Sequence, residues 1–178
     1  MSSNIQKIDW QVNKKRSEQT LAEFFVEHFN QNCDLNYRVV PNIKEASDID
    51  VYAIAENCET LNLQLKTGEP EEERFWGSRR KHGSGMGIID GNIEELLAQI
   101  IQYSEKHYAN KENLTLLITE RYQPVFDKDY ALLISNKFRN ATFKGVYLVK
   151  LAAFDTNHPY EGQIVAIKDI FGNHGKIF

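Results

Sequence analysis

Cysteine is scarce in this chain, and the motifs that cysteine and histidine usually form are absent. The 178 residues contain two cysteines, Cys33 and Cys58, which lie far apart in sequence and form no CxxC pair. We therefore expect neither a disulfide framework nor a zinc knuckle, and we expect both thiols to be buried and reduced. The five histidines include no HxH or HExxH pair, and there is no GxSxG motif. Zinc-dependent hydrolysis and serine-type acyl transfer are therefore disfavoured.

Long apolar runs are missing as well. The first residues, MSSNIQKIDW, lack the apolar core of a signal peptide, and no later run approaches the roughly 20 residues that span a membrane. We therefore expect a soluble, cytoplasmic protein with no membrane partner. Because 42% of the residues are hydrophobic and no repeat or linker interrupts them, the length predicts one domain over residues 1–178.

The chain also has no excess of positive charge. Its 21 basic and 25 acidic residues give a net charge of −4, so its overall field repels a polyanion. Any contact with nucleic acid must come from a local basic patch. Two clusters are candidates, Lys14-Lys15-Arg16 and the Arg79-Arg80-Lys81 run, although either could be a solvated charge cluster.

The hydrophobic pattern predicts an alternation of helices and strands. Apolar residues recur at helical spacing in two segments, and shorter segments rich in β-branched and apolar residues are typical of strands. The predicted elements, in chain order, are a helix over Ser17–Asn30 capped by Ser17, strands over Leu35–Val40, Asp48–Ala55 and Thr60–Thr67, a helix over Asn92–Tyr108 capped by Asn92, and a strand over Leu114–Glu120.

Two further regions complete the predicted architecture. Gly68–Gly91 is predicted to be a long loop of the kind that is usually functional or disordered. After residue 120, a short helix over Asp129–Asn136 and a hairpin of Thr142–Phe154 with Gly162–Phe171 form a small β-rich extension. The fold class is therefore α/β, a mixed central sheet flanked by helices, with a core over residues 17–120 and an extension over 121–178.

Polar side chains gather at one end of the predicted hairpin. Alternation along a strand places Asp48 and Asp50 on one face of the second strand, and Gln64 and Lys66 on one face of the third. An antiparallel pair brings these two ends together. Mg²⁺ prefers carboxylate, carbonyl and water oxygens, so Asp50 and the Gln64 carbonyl could hold it. Lys66 could then orient or help to deprotonate an attacking water and offset charge on the phosphate.

These residues resemble the motif of the PD-(D/E)xK nuclease superfamily, which has a restriction-endonuclease-like fold and the same αβββαβ core order. The motif acids map onto Asp50 or Asp48 and onto Gln64, and the lysine maps onto Lys66. Ser47 stands in place of the motif's proline, and glutamine in place of its second acid. The QxK form preceded by DIDVYA resembles the Mrr-type restriction branch, which favours Asp50 over Asp48.

A second set of residues resembles the RecB-like exonuclease branch of the same superfamily. Lys66-Thr67-Gly68 is similar to its lysine-threonine-glycine sequence, and Gln99 with Tyr103 matches its QxxxY motif. The branch also implies an acid on the first helix, for which Glu18 matches best and Glu23 and Glu27 are alternatives.

The resemblance implies a metal-dependent nuclease that hydrolyses DNA, with Mg²⁺ as cofactor and Mn²⁺ as a substitute. Asp50, Gln64, Glu18 and Asp48 are the implied ligands, Lys66 assists the water, and Gln99, Tyr103, Arg79, Arg80 and Lys81 bind the substrate. DNA and a second copy of the chain are the implied partners. The alternative is an inactive member of the fold that binds nucleic acid or protein. Endonuclease or exonuclease action, DNA or RNA, and sequence preference are left open.

Overall fold

The structure, a computed structural model, describes residues 2–42, 48–67, 93–120, 127–151 and 162–178. These residues form three α-helices, one short 3-10 helix and six strands, so the protein belongs to the α/β class. The six strands make one mixed sheet in the order β1-β2-β3-β4-β5-β6. The elements are α1 (Ser2–Cys33), β1 (Arg38–Pro41), β2 (Val51–Ile54), β3 (Leu61–Thr67), α2 (Ile93–His107), the 3-10 helix (Lys111–Asn113), β4 (Leu114–Glu120), α3 (Lys128–Phe138), β5 (Gly145–Leu151) and β6 (Gly162–Lys168).

The chain forms two compact units, Met1–Leu65 and Lys66–Phe178. In the first unit, α1 is much longer than the sequence predicted. It begins at Ser2, so Ser17 lies inside the helix and the prediction that it caps the helix was wrong. The reason is local, because residues 2–16 contain no proline or glycine that would stop a helix before Ser17.

The apolar face of α1 forms the core of the first unit. Leu21, Phe24, Phe25 and Phe29 are buried, as their helical spacing predicted, and the helix packs against β1 and β2. Each large apolar side chain that leaves water contributes about 1.5–3 kcal/mol to folding. In the last turn of the helix, the Asn30 side chain donates to the Tyr37 carbonyl and accepts from the Tyr37 N–H, both at 2.8 Å. This pair of hydrogen bonds fixes the path of the chain into β1.

The predicted hairpin is present, but its strands are shorter than predicted. β2 pairs with β3 in antiparallel fashion, with Val51 opposite Leu63, and β1 pairs with β2 in the same sense. β1 begins at Arg38 rather than Leu35 and includes Pro41 as its last residue. β2 begins at Val51, so Asp48 and Asp50 precede the strand instead of lying within it. The ladder nevertheless continues one residue further, because the Asp50 N–H donates to the Leu63 carbonyl at 3.0 Å.

In the second unit, α2 and β4 lie where the sequence predicted them. One face of α2 is buried through Ile93, Leu96, Leu97, Ile100 and Ile101, and β4 has the predicted bounds. Five consecutive residues of β4, from Leu114 to Ile118, are buried, as expected for a strand that is covered on both faces.

The last two strands extend the sheet. β5 pairs with β4 in parallel and with β6 in antiparallel fashion, which confirms the predicted C-terminal hairpin. The predicted short helix is α3, and it begins after Asp127, whose side chain accepts from the Tyr130 N–H at 2.8 Å. The buried Ser135 hydroxyl of α3 donates to the Ile167 carbonyl at 2.8 Å, which ties this helix to β6.

The C-terminal residues run along the outer edge of β6. Ile164 and Phe178 exchange two backbone hydrogen bonds, the Ala166 N–H donates to the Lys176 carbonyl, and the Gly175 N–H donates to the Ala166 carbonyl at 2.7 Å. Gly175 has a φ of +74° and lies so close to α3 that an added Cβ would be 3.1 Å from the Leu132 Cα. Glycine is therefore the residue that suits this turn.

Some sequence predictions lie outside the described residues. They are the loop Gly68–Gly91 with its basic run Arg79, Arg80 and Lys81, and the cap at Asn92. No helix in the described ranges is both long enough and apolar enough to cross a membrane.

Candidate functional site

Asp50 and Gln64 are in direct contact in the first unit. One oxygen of Asp50, Oδ2, accepts from the Gln64 amide Nε2 at 2.7 Å and from the Leu65 N–H at 2.8 Å. The contact follows from the hairpin register, because Val51 pairs with Leu63 and the next positions outward are Asp50 and Gln64. The sequence prediction that the hairpin brings these two residues together is confirmed, although neither residue's role is tested by it.

The Gln64 side chain is buried, and its amide nitrogen has a hydrogen-bond partner while its amide oxygen has none among the described residues. The residue is 6% exposed, and its Oε1 has no hydrogen-bond partner in the part of the chain that the structure describes. A buried acceptor without a donor costs about 1–3 kcal/mol. The hydrogen bond to Asp50 fixes the amide with its nitrogen toward the carboxylate, so the unpartnered oxygen is a preformed acceptor for a donor or a cation.

Within the described residues, the proposed acids do not form a group of three. Across the described ranges, no three His, Cys, Asp or Glu side chains form a group that could hold a metal ion, so Glu18, Asp48 and Asp50 do not make a three-carboxylate cluster. Glu18 and Asp48 are both half-buried. The two alternatives on α1 are exposed, and Glu23 accepts from the Gln19 side chain at 2.9 Å. Oxygen ligation by this unit would therefore centre on Asp50 and the Gln64 amide oxygen.

Lys66, the first residue of the second unit, lies against two aromatic rings of that unit. Its Nζ is 5.0 Å from the centroid of the Tyr103 ring and 5.6 Å from that of the Tyr108 ring. At these distances a cation is attracted to the ring faces, by about 0.5–2 kcal/mol depending on exposure. The backbone carbonyl of Lys66 accepts from the Thr119 hydroxyl at 3.3 Å. The rings and the neighbouring strand therefore restrain this lysine.

The two residues of the QxxxY motif lie on an exposed face of α2. Gln99 and Tyr103 are one turn apart and both are exposed, and of the two, Tyr103 has the contact with Lys66. Lys66 and Tyr103, the proposed lysine and tyrosine, both belong to the second unit. Arg79, Arg80 and Lys81, the proposed phosphate contacts, lie outside the described residues.

Sequence reasoning missed two residues of this aromatic group. Tyr108 was assigned only to the apolar pattern of its helix, yet its ring faces Lys66. His107 stacks on Tyr103 with ring centroids 3.8 Å apart and planes inclined by 19°. The i,i+4 spacing of Tyr103 and His107 could have indicated the stack, because residues four apart are neighbours on a helix surface.

Comparisons of the chain with protein-family models, with curated proteins and with solved structures find no match. What the chain does is therefore argued from its own residues.

Proposed function

We propose that the protein is a Mg²⁺-dependent nuclease of the PD-(D/E)xK type that hydrolyses DNA phosphodiester bonds. The observation that carries this proposal is the Asp50–Gln64 contact, in which a carboxylate lies beside a buried amide oxygen without a described partner. The chain order α1-β1-β2-β3-α2-β4, which is the order that the motif resemblance implies, supports it. A mixed sheet alone would not, because many functions share one fold.

The donor set at this pair suits a hard cation. Asp50 would supply a carboxylate oxygen and Gln64 its Oε1. The motif resemblance implies Glu18 and Asp48, both half-buried, as further oxygen ligands. Mg²⁺ usually keeps several waters and takes one or two carboxylates, so a set this small is compatible with it. When bound, the ion would polarise the phosphate and lower the pKa of a coordinated water.

Lys66 and α2 would handle the substrate phosphate. Lys66 follows Gln64 by two residues, which is the QxK spacing of the motif that the sequence resembles. Its ammonium group would offset the negative charge that develops on the phosphate as the water oxygen attacks and the leaving oxygen departs. Tyr103 and Gln99 would contact the substrate beside it, and Arg79, Arg80 and Lys81 would contact flanking phosphates.

The first test is cleavage of supercoiled plasmid and of end-labelled single- and double-stranded DNA with Mg²⁺, Mn²⁺ or EDTA. Wild type is expected to cleave at least one substrate only when metal is present. Lys66→Ala and Asp50→Ala are expected to lose roughly a hundredfold or more in rate, since each removes a group that acts at the reacting phosphate. Lys128→Ala and Asp129→Asn change exposed residues of the same types on α3 and should cleave like wild type.

An inactive member of the same fold is the second candidate, favoured by Gln64 in place of an acid and by the lack of a three-acid cluster in the described residues. It predicts no cleavage by wild type, but a nucleic-acid or protein partner that binds without turnover. Titration of Mg²⁺ or Mn²⁺ by calorimetry, with wild type and Asp50→Ala, separates the two. Cleavage that persists undiminished in both Lys66→Ala and Asp50→Ala would reject the proposed site.

A further inference from the structure

Tyr103 and His107 form an exposed two-ring stack on α2. Tyr103 is 49% exposed, which is unusual for a large aromatic side chain on a helix that otherwise packs one face into a core. The His107 side chain is also exposed, and its Nδ1 lies 2.8 Å from the Tyr103 carbonyl, which holds the ring in place. A third flat ring can therefore be added to this stack on its solvent side.

A positive charge borders the stack. The Lys66 Nζ lies over the Tyr103 ring at 5.0 Å, with the Tyr108 ring 5.6 Å away. Flat exposed rings beside a cation suit a ligand that joins an aromatic ring to an anion. A nucleotide within a strand has this composition, since its base can stack on a ring and its phosphate can pair with a lysine.

Other exposed apolar residues lack this combination. Leu132 and Leu133 on α3 are about half exposed, but neither carries a flat ring. Phe171 is 54% exposed, but it lies in the turn that follows β6 and not on a helix face. Phe138 and Phe178 each have a lysine over the ring, Lys137 at 5.6 Å and Lys176 at 4.9 Å, but both rings are only half-exposed. The Tyr103–His107 stack combines two exposed rings with a nearby cation.

We propose that the Tyr103–His107 stack binds an unpaired nucleobase, so that the protein takes single-stranded nucleic acid at this position. This inference rests on the proposed nuclease function and deepens it by naming the substrate class. An unpaired base presents a free face for stacking, whereas a base within a duplex is covered on both faces by its neighbours. In this proposal the phosphate of the bound nucleotide pairs with Lys66, whose Nζ lies 5.0 Å from the Tyr103 ring centroid.

The test is equilibrium binding in EDTA, where no metal-dependent cleavage occurs. The probes are a single-stranded DNA oligonucleotide containing 2-aminopurine, whose fluorescence falls when it stacks, and a blunt duplex with a terminal fluorophore followed by anisotropy. His107→Ala and Tyr103→Leu are expected to weaken single-strand binding by roughly fivefold to a hundredfold, the usual effect of losing one base–aromatic stack. Duplex binding should change by less than about twofold.

Two variants serve as matched controls. Tyr103→Phe keeps the ring and should keep single-strand affinity within about twofold, and Phe171→Ala removes an exposed ring elsewhere in the same unit and should do the same. Because Tyr103 and His107 are exposed, both loss variants should unfold at the wild-type temperature, which circular dichroism checks.

The inference is overturned if wild type does not bind single strands, if His107→Ala and Tyr103→Leu bind them like wild type, or if duplex affinity falls equally. Its failure is distinguishable from that of the nuclease proposal. If the protein binds single strands through both rings but cleaves nothing with any metal, the nuclease proposal is rejected and the stacking site is kept. If the protein cleaves DNA only with metal and its single-strand affinity is unchanged in both ring variants, the stacking site is rejected and the nuclease proposal is kept.

Discussion

Asp50 and Asp169 are aspartates with several hydrogen bonds, one in each unit, and their surroundings differ in one respect. Asp169 is 4% exposed, and its carboxylate accepts from the Tyr147 hydroxyl at 2.7 Å and from the Phe171 and Asn173 N–H groups at 3.0 and 2.9 Å. Asp50 accepts from Gln64 and Leu65, but it lies beside a buried oxygen that has no partner within the described residues.

The difference separates a structural carboxylate from a candidate ligand site. Around Asp169 the donors match the acceptors, and the Asp169 N–H itself donates to the His174 Nδ1 at 3.0 Å, so the group closes a turn and leaves little for a ligand to satisfy. Beside Asp50, the Gln64 Oε1 has no hydrogen-bond partner among the described residues, and a cation or a donor would satisfy it. Burial alone would have selected Asp169 as the candidate, because it is the more buried of the two.

The largest expected effect is on stability at Asp169. Asp169→Ala leaves the buried Tyr147 hydroxyl and two backbone N–H groups without their acceptor, so the free energy of unfolding should fall by roughly 3 kcal/mol or more. Urea unfolding followed by circular dichroism measures it, with and without Mg²⁺, and the loss should be the same in both. Asp129→Ala, an exposed acid on α3, is the matched control and should change stability by less than about 0.5 kcal/mol. If Mg²⁺ reversed the loss of stability in Asp169→Ala, Asp169 would be a metal ligand, and the contrast between Asp169 and Asp50 would be wrong.

A smaller, metal-dependent effect is expected at Gln64. Gln64→Glu replaces the amide that donates to Asp50 with a second carboxylate, so in EDTA the variant should be less stable by roughly 1–3 kcal/mol. Millimolar Mg²⁺ or Mn²⁺ should restore part of that loss, because an ion that binds only the folded state stabilises it. Thermal unfolding in each buffer measures the difference.

Gln102→Glu makes the same chemical change at an exposed position of α2, and its stability should not depend on metal. If Gln64→Glu is destabilised equally in EDTA and in Mg²⁺, the unpartnered oxygen is not a metal ligand. The contrast between the two aspartates would then be one of burial only.

The smallest expected effect is on stability at alkaline pH, where one titrating residue in each unit contributes. Burial, with Cys58 and Glu59 nearby, raises the pKa of Tyr37 in the first unit above its ordinary value of 10.0. Above pH 10 the unfolded chain loses this proton while the folded chain keeps it, so the stability contributed by Tyr37 falls as pH rises through the folded pKa. Tyr37→Phe should flatten this part of the curve and, at neutral pH, cost about 1 kcal/mol for the lost hydrogen bond to the Glu59 carbonyl. Urea unfolding at several pH values measures both.

Lys168 in the second unit should act with the opposite sign. Burial lowers its pKa below 10.5, partly offset by Glu105, and its ammonium donates to the Ala141 and Phe143 carbonyls. Between the lowered folded pKa and 10.5 the unfolded chain holds more protons, so the contribution of Lys168 to stability rises with pH.

If the stability of Tyr37→Phe still falls above pH 10 as steeply as that of wild type, another group dominates the pH dependence there.

The sequence predicted the elements whose apolar pattern is strong and local. β4 has its predicted bounds and α2 differs by one residue at each end, because both carry long apolar patterns that only one type of element can bury. The contact of Asp50 with Gln64 was also predictable, since it needs only a hairpin and the alternation of side chains. Their function stays a prediction.

The start of α1 and the contacts of Lys66 could not be predicted from the spacing of apolar residues. The start of α1 at Ser2 was missed because the residues before Ser17 are mostly polar, although no glycine or proline among them breaks a helix. The placement of Tyr103 and Tyr108 around Lys66 is a tertiary contact, more than thirty-five residues apart in sequence. Such a contact depends on how α2 packs on the sheet, which residue spacing within α2 does not determine.

The C-terminal residues along β6 have a consequence for self-association. An edge strand presents unpaired N–H and C=O groups to which another chain can add, which is the usual start of edge-to-edge aggregation. Here Ile164 and Ala166 already pair with residues 175–178. At the opposite edge, β1 has four residues and ends in a proline that cannot donate. Removing residues 175–178 would therefore expose the edge of β6 and make the chain more prone to aggregate.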